Sequence, residues 1–344
     1  MDSVTLTIDG VTITTTKGTT ILQAALDNDI YIPHLCHHPD LDPVGICRVC
    51  VVDINGKMVI SCKTPAREGM VVKTESPEVN KTRKITTELL IANHPMNCLS
   101  CSKDTDCQLQ RVANYVGINE DRRQLYRRTT KTLPVDTSNP FFDRDLDKCV
   151  LCGICIRTCE EIQGVSAIDY AGRGLSTTVA TLGNKPLVES SCESCGECLV
   201  RCPVGALSPK NYQRPAREVK SVCTYCGVGC GLYLGVRGDK IVGVRGEKEN
   251  PTNRGMLCVK GRFGYDFINH PDRLTSPLIK KDGKFVEATW DEALDLVASK
   301  LSTYKGEQFA SISSAKCTNE DNYVFQKFTR VVMGTNSIDH CARL

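Results

Sequence analysis

Apolar residues recur along this chain with two periods, and the places where neither period holds are rich in cysteine. The opening stretches "VTLTI" and "VTITT" alternate apolar and polar positions and are separated by Asp9-Gly10, which predicts a two-stranded hairpin with a tight turn. "TTILQAALDNDI" then carries Ile21, Leu22, Ala25 and Leu26 at helical spacing, closed by Pro33. A second helix is expected from Ser76-Pro77, a good cap and first-turn pair, through Ile85, Leu89 and Leu90. "LYLGVRGDKIVGVRG" reads as another hairpin, turning at Gly238-Asp239. After Arg273 the texture is that of an α/β domain. "ATWDEALDLVASKL" is an amphipathic helix with Thr289 and Glu292 as a capping box, and its apolar face, Trp290, Leu294, Val297, Ala298 and Leu301, is expected to be core. The last segment, from Gln308, predicts a strand, a helix and a loop.

At 344 residues there is room for two to four compact domains. A formal net charge of +3 gives no reason to expect nucleic acid or an anionic membrane as partner. One local exception, "EDRRQLYRRTTK", gathers Arg122, Arg123, Arg127, Arg128 and Lys131; it fits a solvated face, or a surface that docks a partner. No stretch approaches the ~20 apolar residues of a membrane span. The N-terminus shows neither a positive-then-apolar leader nor a twin-arginine signal, so the expected location is the cytoplasm. There, 21 cysteines point to metal or redox work rather than to disulfides.

The cysteines fall into four groups. Cys36, Cys47, Cys50 and Cys62 are spaced C-x10-C-x2-C-x11-C. His94, Cys98, Cys101 and Cys107 form H-x3-C-x2-C-x5-C, a set that also suits a structural zinc. "CVLCGICIRTC" and "CESCGECLVRCP" are two copies of C-x2-C-x2-C-x3-C, the signature of a bacterial two-cluster ferredoxin, in which the fourth cysteine of each run serves the other cluster. Cys149, Cys152, Cys155 and Cys202 are therefore expected to hold one [4Fe–4S], and Cys192, Cys195, Cys198 and Cys159 a second. Cys223, Cys226, Cys230 and Cys258 make C-x2-C-x3-C-x27-C, without the second C-x2-C pair of a zinc ribbon. Only Cys317 and Cys341 are left over, and a small buried hydrophobe is the expected role of each.

Several of these stretches resemble known families. A hairpin, a helix and a cysteine-rich loop resemble a plant-type ferredoxin β-grasp, although that type has a first spacing of four. The longer spacing is similar to that at the N-terminus of complex I's large hydrophilic subunit and its relatives, which implies a [2Fe–2S] cluster on Cys36, Cys47, Cys50 and Cys62. Beside such a domain, the His94 group resembles the His-ligated [4Fe–4S] site of complex I and of [FeFe]-hydrogenases. "CTYCGVGCGLYL…GMLCVKGRFGYDFI" resembles the [4Fe–4S] subdomain that opens molybdenum or tungsten bis-pterin oxidoreductases. In that family the Lys two places after the last Cys lies between cluster and pterin, so the resemblance assigns Lys260 as cofactor-binding residue and electron bridge. "SAKCTNEDNY" and "GTNSIDHCARL" resemble formate dehydrogenase catalytic subunits, where the residue after the CARL-type stretch is the Cys or selenocysteine that ligates the metal. On that resemblance the expected ligand follows Leu344, no catalytic residue lies within the chain, and a UGA codon read as stop would end the sequence here.

The fold class expected is a multidomain α+β chain. Residues 1–75 would be the [2Fe–2S] β-grasp domain, 76–135 the [4Fe–4S] domain with one histidine and three cysteine ligands, and 136–215 the two-[4Fe–4S] ferredoxin-like domain. Residues 216–273 would be the [4Fe–4S] subdomain of a molybdopterin oxidoreductase, and 274–344 an incomplete α/β pterin-binding domain that leaves apolar surface uncovered. The resemblance implies formate and CO₂ interconversion at a bis-molybdopterin guanine dinucleotide centre with Mo or W. Electrons would pass singly by Lys260 and the Cys223–Cys258 cluster through the ferredoxin-type pair to the His94 or Cys36–Cys62 cluster. No G-x-G-x-x-G follows a strand, so the dinucleotide is expected on a partner. That partner would be a flavin and NAD(P)-binding iron–sulfur subunit, a hydrogenase subunit or a ferredoxin, in a hetero-oligomeric complex. A non-catalytic relay subunit of a complex I-like or bifurcating assembly shares every cluster motif, and "DHCARL" argues against it. An [FeFe]-hydrogenase would need a different set of later cysteines, and the ferredoxin repeat argues against a zinc-rich binding module.

Overall fold

The computed structural model describes residues 2–92, 94, 95, 97–118 and 133–341. The basic stretch containing Arg122, Arg123, Arg127, Arg128 and Lys131 lies outside the described residues, as do Ala342, Arg343 and Leu344. The chain divides into two compact units, Met1–Tyr212 and Gln213–Leu344.

In the first unit, strands β1 (Ser3–Ile8) and β2 (Val11–Thr16) form the expected hairpin, with Leu6 opposite Ile13 and Ile8 opposite Val11. Asp9 and Gly10 both adopt positive φ, 50° and 84°, the backbone twist that lets a two-residue turn match its strands. Helix α1 (Ile21–Leu26) follows, capped by the Thr20 side chain, and ends well before Pro33. Strands β3 (Val51–Ile54), β4 (Lys57–Ile60) and β5 (Val71–Lys73) complete a mixed sheet ordered β2-β1-β5-β3-β4, in which only β1 and β5 run parallel. Its alternating inward residues Leu6, Ile8, Ile13, Val52 and Val72 meet Ile21, Leu22 and Ala25 of α1 in one core. Cys50 and Cys62 are part of that core.

Helix α2 (Pro77–Ile91) starts at the Ser76 cap, as its sequence predicts. Its buried face differs from the expected one. Ile85 and Leu89 are exposed, and Arg83 and Glu88 are buried with Val79 and Ile91. The Arg83 Nη2 donates to the Val51 carbonyl at 2.6 Å, so a hydrogen bond to the neighbouring strand outweighs the apolar pattern of this helix. Helix α3 (Gln108–Val116) ends at Gly117 in the left-handed region. Beyond residue 132 regular structure is sparse: strand pairs β6 (Phe142–Arg144) with β9 (Leu207–Pro209), and β7 (Asp169–Ala171) with β8 (Thr178–Ala180), frame the short helices α4 (Ile154–Arg157) and α5 (Glu197–Arg201).

The second unit opens with an antiparallel sheet, β10 (Arg217–Val222), β11 (Gly231–Arg237) and β12 (Lys240–Gly246), then helix α6 (Val259–Phe263). A hairpin, β13 (Leu278–Lys281) and β14 (Lys284–Glu287), precedes α7 (Trp290–Leu301), whose Thr289/Glu292 capping box is formed. The expected core face of α7 is not core in this chain: Trp290 is 70% and Leu294 57% exposed, because no described element packs over them. After β15 (Ser311–Ser313) and α8 (Asn319–Val331), part of the expected final loop is strand β16 (Ile338–His340), parallel to β15.

Gly246 closes β12 with no room for a side chain, since a Cβ there would lie 1.9 Å from the Gly255 carbonyl oxygen. Gly246→Ala is expected to destabilise the second unit by roughly 1–3 kcal/mol, read as a lower midpoint of its thermal unfolding transition.

Candidate iron–sulfur sites

The first cysteine group is embedded in the core of the five-stranded sheet. Cys36 lies in the loop beyond α1, Cys47 and Cys50 lead into β3, and Cys62 follows β4; all four are buried. The Cys47 N–H donates to the Cys36 Sγ at 3.4 Å, and Ser61 holds the loop by bonding the Cys50 carbonyl at 2.7 Å. Hydrogen bonding among the thiols holds the Cys36 pKa down, Cys47 being the larger influence and Cys62 the next, and contact with Cys62 lowers that of Cys50. The same bonds, with burial, push Cys47 and Cys62 far up. Four thiols crowded in an apolar core cannot all ionise by themselves, and a cationic iron core removes that conflict.

The second group lines a cavity of about 610 Å³. Cys98 opens a single 3₁₀ turn, Cys107 caps α3, and His94 and Cys101 complete the wall. The His94 Nδ1 is buried without a hydrogen-bond partner among the described residues, as an unspent ligand nitrogen would be. Burial lowers its pKa, favouring the neutral ring that binds metal. Gly205 contributes from the other side: a Cβ there would lie 2.3 Å from the Cys101 Sγ.

All eight cysteines of the tandem repeat line one apolar cavity, between α4 and α5. The two copies repeat each other's backbone. Leu151 and Ser194 both have positive φ, 52° and 56°, as do Gly153 and Gly196, 71° and 76°. In each copy the N–H two residues on points back at the first thiol, Leu151 to Cys149 and Ser194 to Cys192, both at 3.4 Å. Burial pushes the Cys198 thiol up, followed by repulsion from Cys195, Cys192 and Cys159. For Cys152 burial is again first, and the thiols around it are Cys155, Cys202 and Cys149. Thiols of both copies thus lie near one another: Cys202 also acts on Cys198, and Cys198 on Cys155.

In the second unit, Cys223 and Cys230 bracket the turn between β10 and β11, with the Cys223 N–H bonded to the Cys230 carbonyl at 2.9 Å. Cys226 lies within that turn and Cys258 caps α6. Burial raises the Cys230 pKa, then Cys223, Cys226 and Cys258, so these four also share a neighbourhood. Asn253 fastens the connecting loop by accepting from the Gly231 N–H at 2.9 Å and donating to the Met256 carbonyl at 2.8 Å. Gly261 lets α6 pass close to Cys223, whose Sγ would stand 3.4 Å from a Cβ there. Lys260 is exposed on the same helix. Cys317 and Cys341 are exposed, not buried as expected, because they sit on loops that nothing described covers. Gly205 and Asn253 were not legible as site residues in the sequence, because each acts on a partner far along the chain or through backbone alone.

Family comparisons match the chain almost end to end. Residues 1–77 match a 2Fe-2S iron-sulfur cluster binding domain, 83–122 the NADH-ubiquinone oxidoreductase-G iron-sulfur binding region, and 139–208 the ferredoxin-like domain of NADH-quinone oxidoreductase subunit 3. Residues 216–270 match the molybdopterin oxidoreductase Fe4S4 domain and 273–344 molybdopterin oxidoreductase itself. The chain therefore carries molybdopterin oxidoreductase domains over residues 216–270 and 273–344, and NADH-quinone oxidoreductase G-like iron–sulfur domains before them. Its role at that level is iron–sulfur electron transfer. Among relatives, the NADH-quinone oxidoreductase G 2 subunit of Rhizobium meliloti (strain 1021) is 36% identical over 98% of this chain and 40% of its own length. YrhE of Bacillus subtilis (strain 168), whose name carries a provisional formate dehydrogenase assignment, is 34% identical over 99% of this chain and 40% of its own. A crystal structure of an NAD+-reducing [NiFe]-hydrogenase in the H2-reduced state contains a chain 33% identical, with a TM-score of 0.56, covering 61% of this chain and 88% of that one. The present chain thus spans about 40% of the length of these curated relatives. No described helix is long and apolar enough to cross a membrane.

Because Gly205 abuts Cys101, Gly205→Ala is expected to displace that thiol and lower bound iron by about four atoms per chain, measured by iron analysis of the purified protein.

Proposed function

We propose that the chain is the iron–sulfur portion of a formate dehydrogenase that interconverts formate and CO₂ and passes electrons singly to a partner. The observation that carries this reading is where its two formate dehydrogenase-like stretches lie. β15 leads into "SAKCTNEDNY", and β16 carries Asp339 and His340 of "DHCARL"; the two strands pair in parallel, and the Ser314 Oγ meets the Cys341 Sγ at 3.8 Å. Lys316, in the first stretch, lies 5.9 Å over the ring of Tyr225, between Cys223 and Cys226. The 34% identity to the Bacillus protein across 99% of this chain supports the same reading.

The ligand sets proposed are Cys36, Cys47, Cys50 and Cys62 for a [2Fe–2S] cluster, and His94, Cys98, Cys101 and Cys107 for a [4Fe–4S]. Three further [4Fe–4S] clusters are assigned to Cys149, Cys152, Cys155 and Cys202, to Cys159, Cys192, Cys195 and Cys198, and to Cys223, Cys226, Cys230 and Cys258. Domain limits at 75, 135, 215 and 273 follow from that assignment. The clusters, when bound, accept one electron each, and a bis-pterin Mo or W centre in the whole protein would be where formate gives up two. In the first unit the chain's own residues shield the thiols, line the cavity of the tandem repeat with apolar groups, and aim N–H groups at sulfur, which stabilises the reduced state. Lys260, one residue beyond the first residue of α6 and two beyond the Cys258 cap, is the proposed cation beside the pterin. A flavin and NAD(P)-binding subunit, a hydrogenase subunit or a ferredoxin is the proposed partner.

A second reading, a relay without a substrate of its own, is favoured by the 36% identity to the Rhizobium protein over 98% of this chain. The complete polypeptide from its native source separates the two. On the proposal, formate reduces a viologen dye and bleaches the iron–sulfur absorption, and iron analysis gives about 18 atoms for residues 1–344. Bleaching by NAD(P)H with a partner present, and none by formate, would establish the relay instead.

A further inference from the structure

Plant-type ferredoxins separate their first two ligands by four residues. Here ten residues, His37–Ile46, stand between Cys36 and Cys47. The structure shows what the extra length does. The insert leaves the core of the first sheet and lies against α4, the helix that carries Cys155. Arg157 on that helix donates from Nη2 to the Cys36 carbonyl at 2.7 Å and from Nη1 to the Asp42 carbonyl at 2.6 Å. The Asp42 N–H donates to Glu161 at 3.0 Å, and Arg201 pairs with Asp40 at 2.8 Å. Ile46 closes the far end, 3.2 Å from where a Cβ on Gly153 would stand.

Arg157 is 7% exposed, and its Nε is buried without a hydrogen-bond partner. Its two bonded amino groups meet neutral carbonyls, so no carboxylate within that pair of bonds offsets its charge.

We propose that Arg157 is a positioning residue for electron passage between the Cys36–Cys62 [2Fe–2S] site and the adjoining ferredoxin-type pair, fixing their separation through the Cys36 and Asp42 carbonyls and placing one buried positive charge between their thiolates. The proposal rests on the ligand assignment made above. Each added electron makes a cluster more negative, and a buried cation nearby favours that state. Neutralising it therefore lowers the cluster potential, whereas loosening the bracket elsewhere does not.

The test is an EPR-monitored redox titration of the complete protein, with Arg157→Gln, Arg157→Lys and Asp40→Asn as variants. Arg157→Gln is expected to move the [2Fe–2S] redox equilibrium about tenfold toward the oxidised form, 59 mV for one electron. Arg157→Lys, which keeps the charge, and Asp40→Asn, which removes only the Arg201 pairing, are expected to stay near the unaltered protein. An unmoved potential in a fully loaded Arg157→Gln protein overturns the proposal. If that variant loses iron, Arg157→Lys decides: a potential lowered by about 59 mV, tenfold in the equilibrium, overturns it, and one that holds supports it. Absence of any [2Fe–2S] signal from the unaltered protein would instead overturn the ligand assignment itself, and this proposal with it.

Discussion

The first unit depends on one electrostatic constraint: its candidate sulfur ligands crowd together in apolar surroundings, where a thiolate without a cation is costly. Cys36, Cys50 and Cys62 belong to the same packed interior as Leu6, Ile8 and Val72, or border it. In the tandem repeat eight cysteines line a cavity of about 60 Å³ with almost no polar wall. Burial and mutual repulsion raise thiol after thiol there, so that without iron the site would hold neutral sulfur. Metal binding and folding are coupled in such a site, because the ligand charge that iron stabilises is what the protein alone disfavours.

That constraint also accounts for the scarcity of regular structure between 133 and 212. The backbone there is spent on short turns with positive φ, at Leu151, Gly153, Ser194 and Gly196, which wrap N–H groups around sulfur. Strands of three residues and helices of four or five suffice to tie the loops together. The fold is held around the cysteine-lined cavity by charged side chains: Arg144 with Asp136 at 3.1 Å, and Arg201 with Asp40 at 2.8 Å, both from arginines that are themselves buried. The ligand-bearing loops are thereby bracketed to one another within the first unit.

The second unit behaves differently because its later elements are apolar without being covered. Helix α7 has a well-formed capping box and a clear amphipathic pattern, yet none of its residues is buried. Local signals made the helix; its burial is a property of a larger assembly of elements. The same division explains Cys317 and Cys341, whose residue type suggests the interior and whose loops leave them exposed.

Candidate ligands were legible in the sequence because iron–sulfur chemistry demands particular residues at particular spacings, and those spacings are local. The hairpins at Asp9-Gly10 and Gly238-Asp239, the Ser76 and Thr289 caps and the tandem repeat were legible for the same reason: each is decided by neighbours within a few residues. What needed the tertiary structure was anything joining distant parts of the chain. The parallel pairing of β1 with β5 and of β15 with β16, the burial of Arg83 instead of Ile85, and the nearness of Gly205 to Cys101 leave no mark in local pattern. The ten-residue insert shows the division most plainly. Its length could be counted in the sequence, but its use, as a bracket held by Arg157 more than a hundred residues away, is decided only when the two domains are folded against each other.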